Sequence, residues 1–352
     1  MKKAAFVLPA LLLIPIILLV LAPSPIQSVA WHPPIAPDLT GNLSPNQNLS
    51  RSERLAEGLL FGPEDIAVDN AGRIYGGTQD GHIKRINTDG SVETWVTTGG
   101  RPLGLHFDQQ QNLIVCDAFK GLLSIDPTAT ITTLATSAEG VDFKFTNDVD
   151  IANDGKIYFT DASNKWNQHQ YKLDLLETKP YGRFLVYDPS TKITTVLIND
   201  LYFANGVALS KDESFALVNE TWRYRVLRHW LKGGKAGTTE VFIDNLPGLP
   251  DGISSNDQGD FWLALPTPRL GDVDKMHPYP WLKNIAAKLP DRLKPKPIQY
   301  GFILGLSEQG DIGISLHDPS GSTLHEITSV EEHNGYLYTG TLSNYWVGRY
   351  KL

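Results

Sequence analysis

The chain is nearly without cysteine. Cys116 stands alone among 352 residues, so no disulfide can form within the chain, and stability must rest on packing and any bound ion. In the apolar run Leu113-Ile114-Val115-Cys116 it reads as a small buried hydrophobe, not a nucleophile. Charge is sparse as well: charged residues are 20%, the net charge is −8, and no run of one sign occurs. A nucleic-acid partner would call for a basic stripe, so that class is excluded, whereas a negative balance suits a protein that attracts cations. Long hydrophobic runs are missing except at the start. There Lys2-Lys3 precedes an almost unbroken apolar stretch from Ala4 to Ala22.

That stretch is long enough to span a bilayer, although Pro9 and Pro15 would kink it. Ser28-Val29-Ala30 also offers small residues for cleavage of a signal peptide. Residues 1–30 are therefore expected to be a signal anchor or signal peptide. With the two lysines left in the cytoplasm, either reading exports the rest, membrane-anchored or secreted. Residues 31–50, rich in Pro, Asn and Ser, read as a linker. Sequons stand at Asn42, Asn48 and Asn219.

From residue 51 onward one grammar repeats. Glu64-Asp65-Ile66, Asn147-Asp148-Val149, Asn205-Gly206-Val207 and Asp251-Gly252-Ile253 each place an oxygen-bearing side chain two residues ahead of a β-branched one, with a turn about eight residues on. Two further copies carry Leu103 and Ser329 at the same register. A second apolar run follows each turn, and more short alternating runs fill the intervals. Short, punctuated strands at this spacing predict an all-β, six-bladed β-propeller over 51–352. The final blade lacks one strand, which the segment near Arg51 to Leu60 is expected to supply.

In a propeller the first strand of each blade lines the central channel. Glu64, Leu103, Asn147, Asn205, Asp251 and Ser329 should then form a ring. Asn and Asp before a strand are usually turn formers. Four oxygen side chains converging on one axis, however, suit a hard cation, and calcium (Ca2+) is the natural occupant, held by Glu64, Asn147, Asn205 and Asp251. Two blades are stretched by insertions at about 163–181 and 266–298. Both fall between second and third strands, hence on the ligand-bearing face, and their aromatics, among them Trp166 and Trp281, read as a lid.

The run from Asn219 to Gly233, followed by Phe242 to Asp251, resembles the strictosidine synthase-like family, a branch of the calcium-dependent phosphotriesterase superfamily with gluconolactonases, regucalcin and paraoxonases. The resemblance implies a catalytic calcium on the four ring residues, with Asp251 as the first candidate for nucleophile or base and Glu64 as the second. It also implies substrate contacts from Leu103, Thr328, Ser329, Trp166 and Trp281. Thr328 stands where the family's condensing enzymes place a catalytic glutamate, which disfavours amine-to-aldehyde condensation. His106 lies three residues past the ring position and reads as structural. The expected function is an exported calcium-dependent hydrolase of small-molecule lactones or aryl esters, with phosphotriesters as a side reaction and membrane attachment through the N-terminal segment. The alternative is a non-catalytic calcium-stabilised propeller that binds a partner on its lid face.

Overall fold

The computed structural model describes residues 21–256 and 258–352; most of the expected anchor lies outside them. Six four-stranded antiparallel sheets follow one another along the chain. Their innermost strands are Ile66–Val68, Pro102–Phe107, Thr146–Ile151, Ala204–Leu209, Ile253–Ser255 and Ile327–His333, and each packs against the next until the sixth meets the first. The sixth sheet is closed from outside by Glu53–Leu55, in register with Arg349, Gly348 and Val347. The ring is thus fastened by pairing the start of the propeller with its end.

Strands buried on both faces divide the core into seams between consecutive blades. Tyr75, Ile83, Leu105 and Val115 fill the first, and Leu60, Ile66, Tyr338 and Val347 fill the one that closes the circle. Cys116 is fully buried in the seam between the second and third blades. Burial pushes its thiol well above the ordinary range, as expected for a packing residue.

Helix α1 (Tyr171–Glu177) forms the lid over the third blade, and helices α2 (Gly271–Met276) and α3 (Pro280–Ala286) belong to the insertion of the fifth. The stretch 31–50, expected as a linker, is packed against the propeller. Trp31 meets the His277 ring edge-on at 4.9 Å, Asn42 and Asn46 donate to the carbonyls of Ile312 and Ser315, and Leu49 is buried between the fifth and sixth blades. Its composition reflects an extended strap whose polar groups are satisfied by distant parts of the chain. No helix among the described residues is long and apolar enough to cross a membrane.

Candidate functional site

The ring register coincides with a break in the sheets. Pairing between first and second strands shifts between Pro102 and Leu105, Thr146 and Val149, Ala204 and Val207, and Ile327 and Val330. In the first and fifth blades the inner strand starts only after the ring residue. Such irregularities free backbone from the ladder and re-aim side chains, and here they do so at the end of the channel beneath the lid.

The freed backbone is spent on the neighbouring blade. Gly206 N donates to Asp251 O (3.0 Å), Gly252 N to Thr328 O (2.7 Å), and Thr160 Oγ1 to Asn205 O (2.7 Å). Asp65 and Asp148 tie blades together through their side chains, accepting from Leu105 N (2.8 Å) and Val207 N (2.9 Å). The close approach explains the glycine after Asn205: a Cβ there would lie 2.4 Å from Asp251 O and 2.6 Å from Ile253 N. Gly206→Ala should cost about 3 kcal/mol, read as a lower urea midpoint; an unchanged midpoint would mean that the two blades can part.

Within this frame Glu64, Asn147, Asn205 and Asp251 are all buried. Asn205 Nδ2 donates to Asp251 Oδ1 and lies 3.2 Å from Thr221 Oγ1, which itself donates to Pro250 O. Asn219 Nδ2 donates to the Asp251 carbonyl, so the Asp251 loop is held from two sides. That fully buried contact also takes the Asn219 sequon out of reach of glycosylation in the folded chain. Burial first, then the charges of Asp251 and Asp65, raise the Glu64 carboxyl well above its ordinary range. Burial, with Asp65 adding, brings Asp251 up to about 7 against the opposing hydrogen bond from Asn205.

Two desolvated carboxylates and two amides are a donor set that fits a hard divalent cation, which would offset the burial and the mutual repulsion that raise Glu64 and Asp251. No group of three His, Cys, Asp or Glu side chains suited to a metal occurs among the described residues. The ring contains only two residues of those types, and its remaining donors are amides.

The other expected site residues divide. Leu103 joins Phe145, Phe203 and Trp222, with Tyr171, Leu175 and Leu249, in an apolar roof beneath the lid. The charge of Asp251 reaches Tyr171, whose hydroxyl is pushed up to about 12, chiefly by burial, with Glu326 and Asp291 acting ahead of Asp251. Thr328 is withdrawn: it is buried, and its hydroxyl donates to Glu64 O (2.6 Å), so it supports the ring instead of facing a substrate. Ser329 Oγ accepts from Gly340 N (3.2 Å) and lines a cavity on the opposite side of the ring. Trp166 lies in the lid core, its Nε1 donating to Glu177 Oε2 (2.8 Å), and Trp281 points outward to solvent; neither reaches the roof cluster.

Arg101, two residues before Leu103, is a feature the ring pattern did not single out. Fully buried, it donates from Nη1 to Gly77 O (3.0 Å), and its Nε and Nη2 have no partner among the described residues. Burial lowers its guanidinium to about 10, and Glu64 is the leading opposing influence. The repeat did carry a signal. At that register the blades have Gly62, Arg101, Phe145, Phe203, Leu249 and Ile327, with one cation among apolar residues and glycine.

Two cavities flank the ring. The larger, about 290 Å³, opens on the face away from the lid and is walled by Asp65, Asp148, Asp150, His106 and Ser329. Its lining omits all four candidate ligands, and its carboxylates Asp65, Asp148 and Asp150 hold backbone amides, so the second cavity, on the lid face, is the one set against the apolar roof. There the cavity is about 70 Å³ and apolar, bounded by Tyr171, Leu175, Trp222, Leu249, Thr267 and Pro297.

Comparison with known proteins agrees with this architecture. Family models described as Strictosidine synthase and as Strictosidine synthase-like, N-terminal, match residues 147–234 and 41–86. Adipocyte plasma membrane-associated protein of Gallus gallus is 37% identical over 343 residues, covering 90% of this chain and 81% of the relative. Strictosidine synthase-like protein 6 of Arabidopsis thaliana is 39% identical over 329 residues, covering 91% and 85%. Among solved structures, a gluconolactonase of Xanthomonas campestris superposes with a TM-score of 0.64 at 16% identity, covering 94% of this chain and 99% of its own. A calcium-binding regucalcin of Agrobacterium tumefaciens gives 0.59 at 14%, covering 84% and 92%. These two likenesses speak for the fold alone. Propeller, ring register and close relatives together establish that the chain belongs to the strictosidine synthase-like family.

Proposed function

We propose that the protein is an exported, calcium-dependent hydrolase of small lactones or aryl esters, with phosphotriesters as a side reaction. The observation that carries this reading is the buried Asp251, hydrogen-bonded by Asn205 and acting through its charge, after burial, on the buried Glu64 carboxyl, with Asn147 buried at the matching register. These four residues would hold the ion, and calcium there would polarise the substrate's carbonyl or phosphoryl oxygen. Asp251 would take the proton of the attacking water as its oxygen bonds to the carbonyl carbon. The alkoxide or phenoxide leaves as the acyl–oxygen bond breaks and receives the proton in turn. Asn205 keeps the Asp251 carboxylate aimed during this exchange, and Glu64 is the second candidate for the proton. Leu103, Phe145, Phe203 and Trp222 would exclude bulk water and seat the apolar part of the substrate.

The name of the chicken relative associates that protein with the plasma membrane. For this chain we propose export, with residues 4–22 as anchor, or secretion where the leader is removed.

One observation favours the non-catalytic alternative. A lid-side cavity of about 70 Å³ is far below the roughly 300 Å³ of common ligand pockets, so a substrate must displace part of the roof. Hydrolysis of phenyl acetate, an aliphatic γ-lactone and a phosphotriester, with calcium and after chelation, separates the two readings. Turnover that needs calcium supports the hydrolase; a calcium-raised melting temperature without turnover of any of the three favours the binding module. If the roof limits entry, Tyr171→Ala should raise kcat/KM for phenyl acetate about tenfold relative to the small lactone. An unchanged ratio would assign selectivity elsewhere.

A further inference from the structure

We propose that the lid face of the propeller is its membrane-docking face, with residues 21–35 and the insertion 266–298 resting on a bilayer that carries anionic headgroups. The chain just after the apolar run is fixed across both insertions. Lys288 Nζ donates to Ala22 O, Gln27 N to Glu177 Oε1 (2.9 Å), Val29 N to Glu177 O (3.2 Å) and Trp31 N to His277 O (3.1 Å). Ile26 is buried among Trp166, Leu176, Met276 and Ala287, where the two insertions meet. Lys283, fully buried, donates to Val29 O and to Thr178 Oγ1 (2.7 Å). The run that ends at Ala22 therefore leaves the propeller on the lid face. Cleavage after Ala30 would also remove Ile26 to Val29 from the lid core, so the docked form is the one that keeps its leader.

The exposed surface of the second insertion has the chemistry of a membrane interface. Tyr279 and Trp281, at the start of α3, are 53% and 63% exposed, and Leu293 and Leu21 are 60% and 75% exposed. Singly exposed hydrophobes are ordinary. These belong to one insertion and to the strap that crosses it. In a chain of net charge −8, residues 266–298 carry seven Lys and Arg against three Asp; Arg269 and Lys283 are buried, and the remaining cations still outnumber the acids, so the local sign is reversed. Asp274 is turned towards Arg269 and Tyr224, and the exposed Asp272 and Asp291 are offset by Lys275 and Lys294, so the surplus of positive charge comes from Lys288, Arg292 and Lys296. Aromatic rings with Lys288, Arg292 and Lys296 among them match the headgroup level of an anionic leaflet: indole and phenol sit at the boundary and the cations meet lipid phosphate. This surface does not depend on the ring being catalytic.

The test places the full chain in nanodiscs of neutral lipid, with and without anionic lipid, and reads spin-label accessibility at single introduced cysteines. Cys116, being buried, stays unlabelled. Trp281→Cys and Leu293→Cys probe the lid, and Gln109→Cys probes the opposite mouth. The lid labels should be accessible to oxygen and shielded from a water-soluble nickel chelate, and the Gln109→Cys label should show the reverse. Replacing Lys288, Arg292 and Lys296 with Gln should reduce the shielding in anionic discs much more than in neutral ones. Hydrogen exchange of the unmodified chain gives an independent reading: residues 279–298 should slow on transfer from detergent to anionic nanodiscs. Lid labels as open to nickel as the Gln109→Cys label, with exchange unchanged, would overturn the proposal. So would protection that requires an added protein instead of lipid.

Discussion

Asp251→Asn should lower calcium-dependent ester hydrolysis by about 100-fold or more while leaving the metal-free protein at least as stable as the parent. The two halves have one cause. Asp251 is a desolvated carboxylate, and an amide of the same shape keeps an oxygen for Asn205 to donate to while removing the charge that burial penalises. The metal-free fold thus loses nothing, whereas a cation loses one of its two anionic ligands. Glu64→Gln should behave alike, because burial, then the charges of Asp251 and Asp65, raise Glu64 in the same manner. Melting curves in chelator, calcium titration calorimetry and phenyl acetate turnover decide the matter. Lost activity together with a lower metal-free melting temperature would mark Asp251 as a structural residue. Activity that survives with normal calcium dependence would remove Asp251 from the site.

The repeat was legible because each of the four oxygen-bearing residues Glu64, Asn147, Asn205 and Asp251 stands two ahead of a β-branched residue that enters a seam between blades, so their register follows from burial of Ile66, Val149, Val207 and Ile253. The closing strand was legible from a blade one strand short, as Glu53–Leu55 demonstrates. Direction was not legible. Trp166 and Trp281 both look like lid aromatics in sequence, but one indole is turned inward to Glu177 and the other faces out. The strap failed for a related reason: Asn42 and Asn46 look like linker residues until their partners, Ile312 and Ser315, come near in the fold. Thr328 was read by position alone, and its hydroxyl is used to hold the backbone of Glu64. The glycines after Leu103, Asn205 and Asp251 stand where inner strands approach closely, a contact that was not read from the repeat.

Calcium should stabilise this protein more at pH 8 than at pH 5. In the metal-free fold the Asp251 carboxyl titrates at about 7 instead of its ordinary 3.8, so between those values the folded state holds a proton that the unfolded state has released. Stability without metal is therefore highest on the acid side and falls as pH rises towards about 7, by on the order of 4 kcal/mol for this group alone. Glu64, also raised, adds a slope of the same sign. A bound cation reverses the preference, since it requires both carboxylates ionised and competes with protons for them. At pH 8 the protons are already gone and binding relieves the repulsion; at pH 5 the ion must first displace them. The gain in melting temperature on saturating with calcium should then be several degrees larger at pH 8. Buried Asp65 and Asp174, raised to about 6 and about 7, slope the metal-free curve in the same direction, so the informative quantity is the difference with and without calcium. Asp251→Asn supplies the control: its metal-free curve should be flatter and its calcium increment small at both pH values. An increment that is equal at pH 5 and pH 8 in the parent would mean that the ion binds away from these carboxylates, and one larger at pH 5 would contradict the ring as a calcium site.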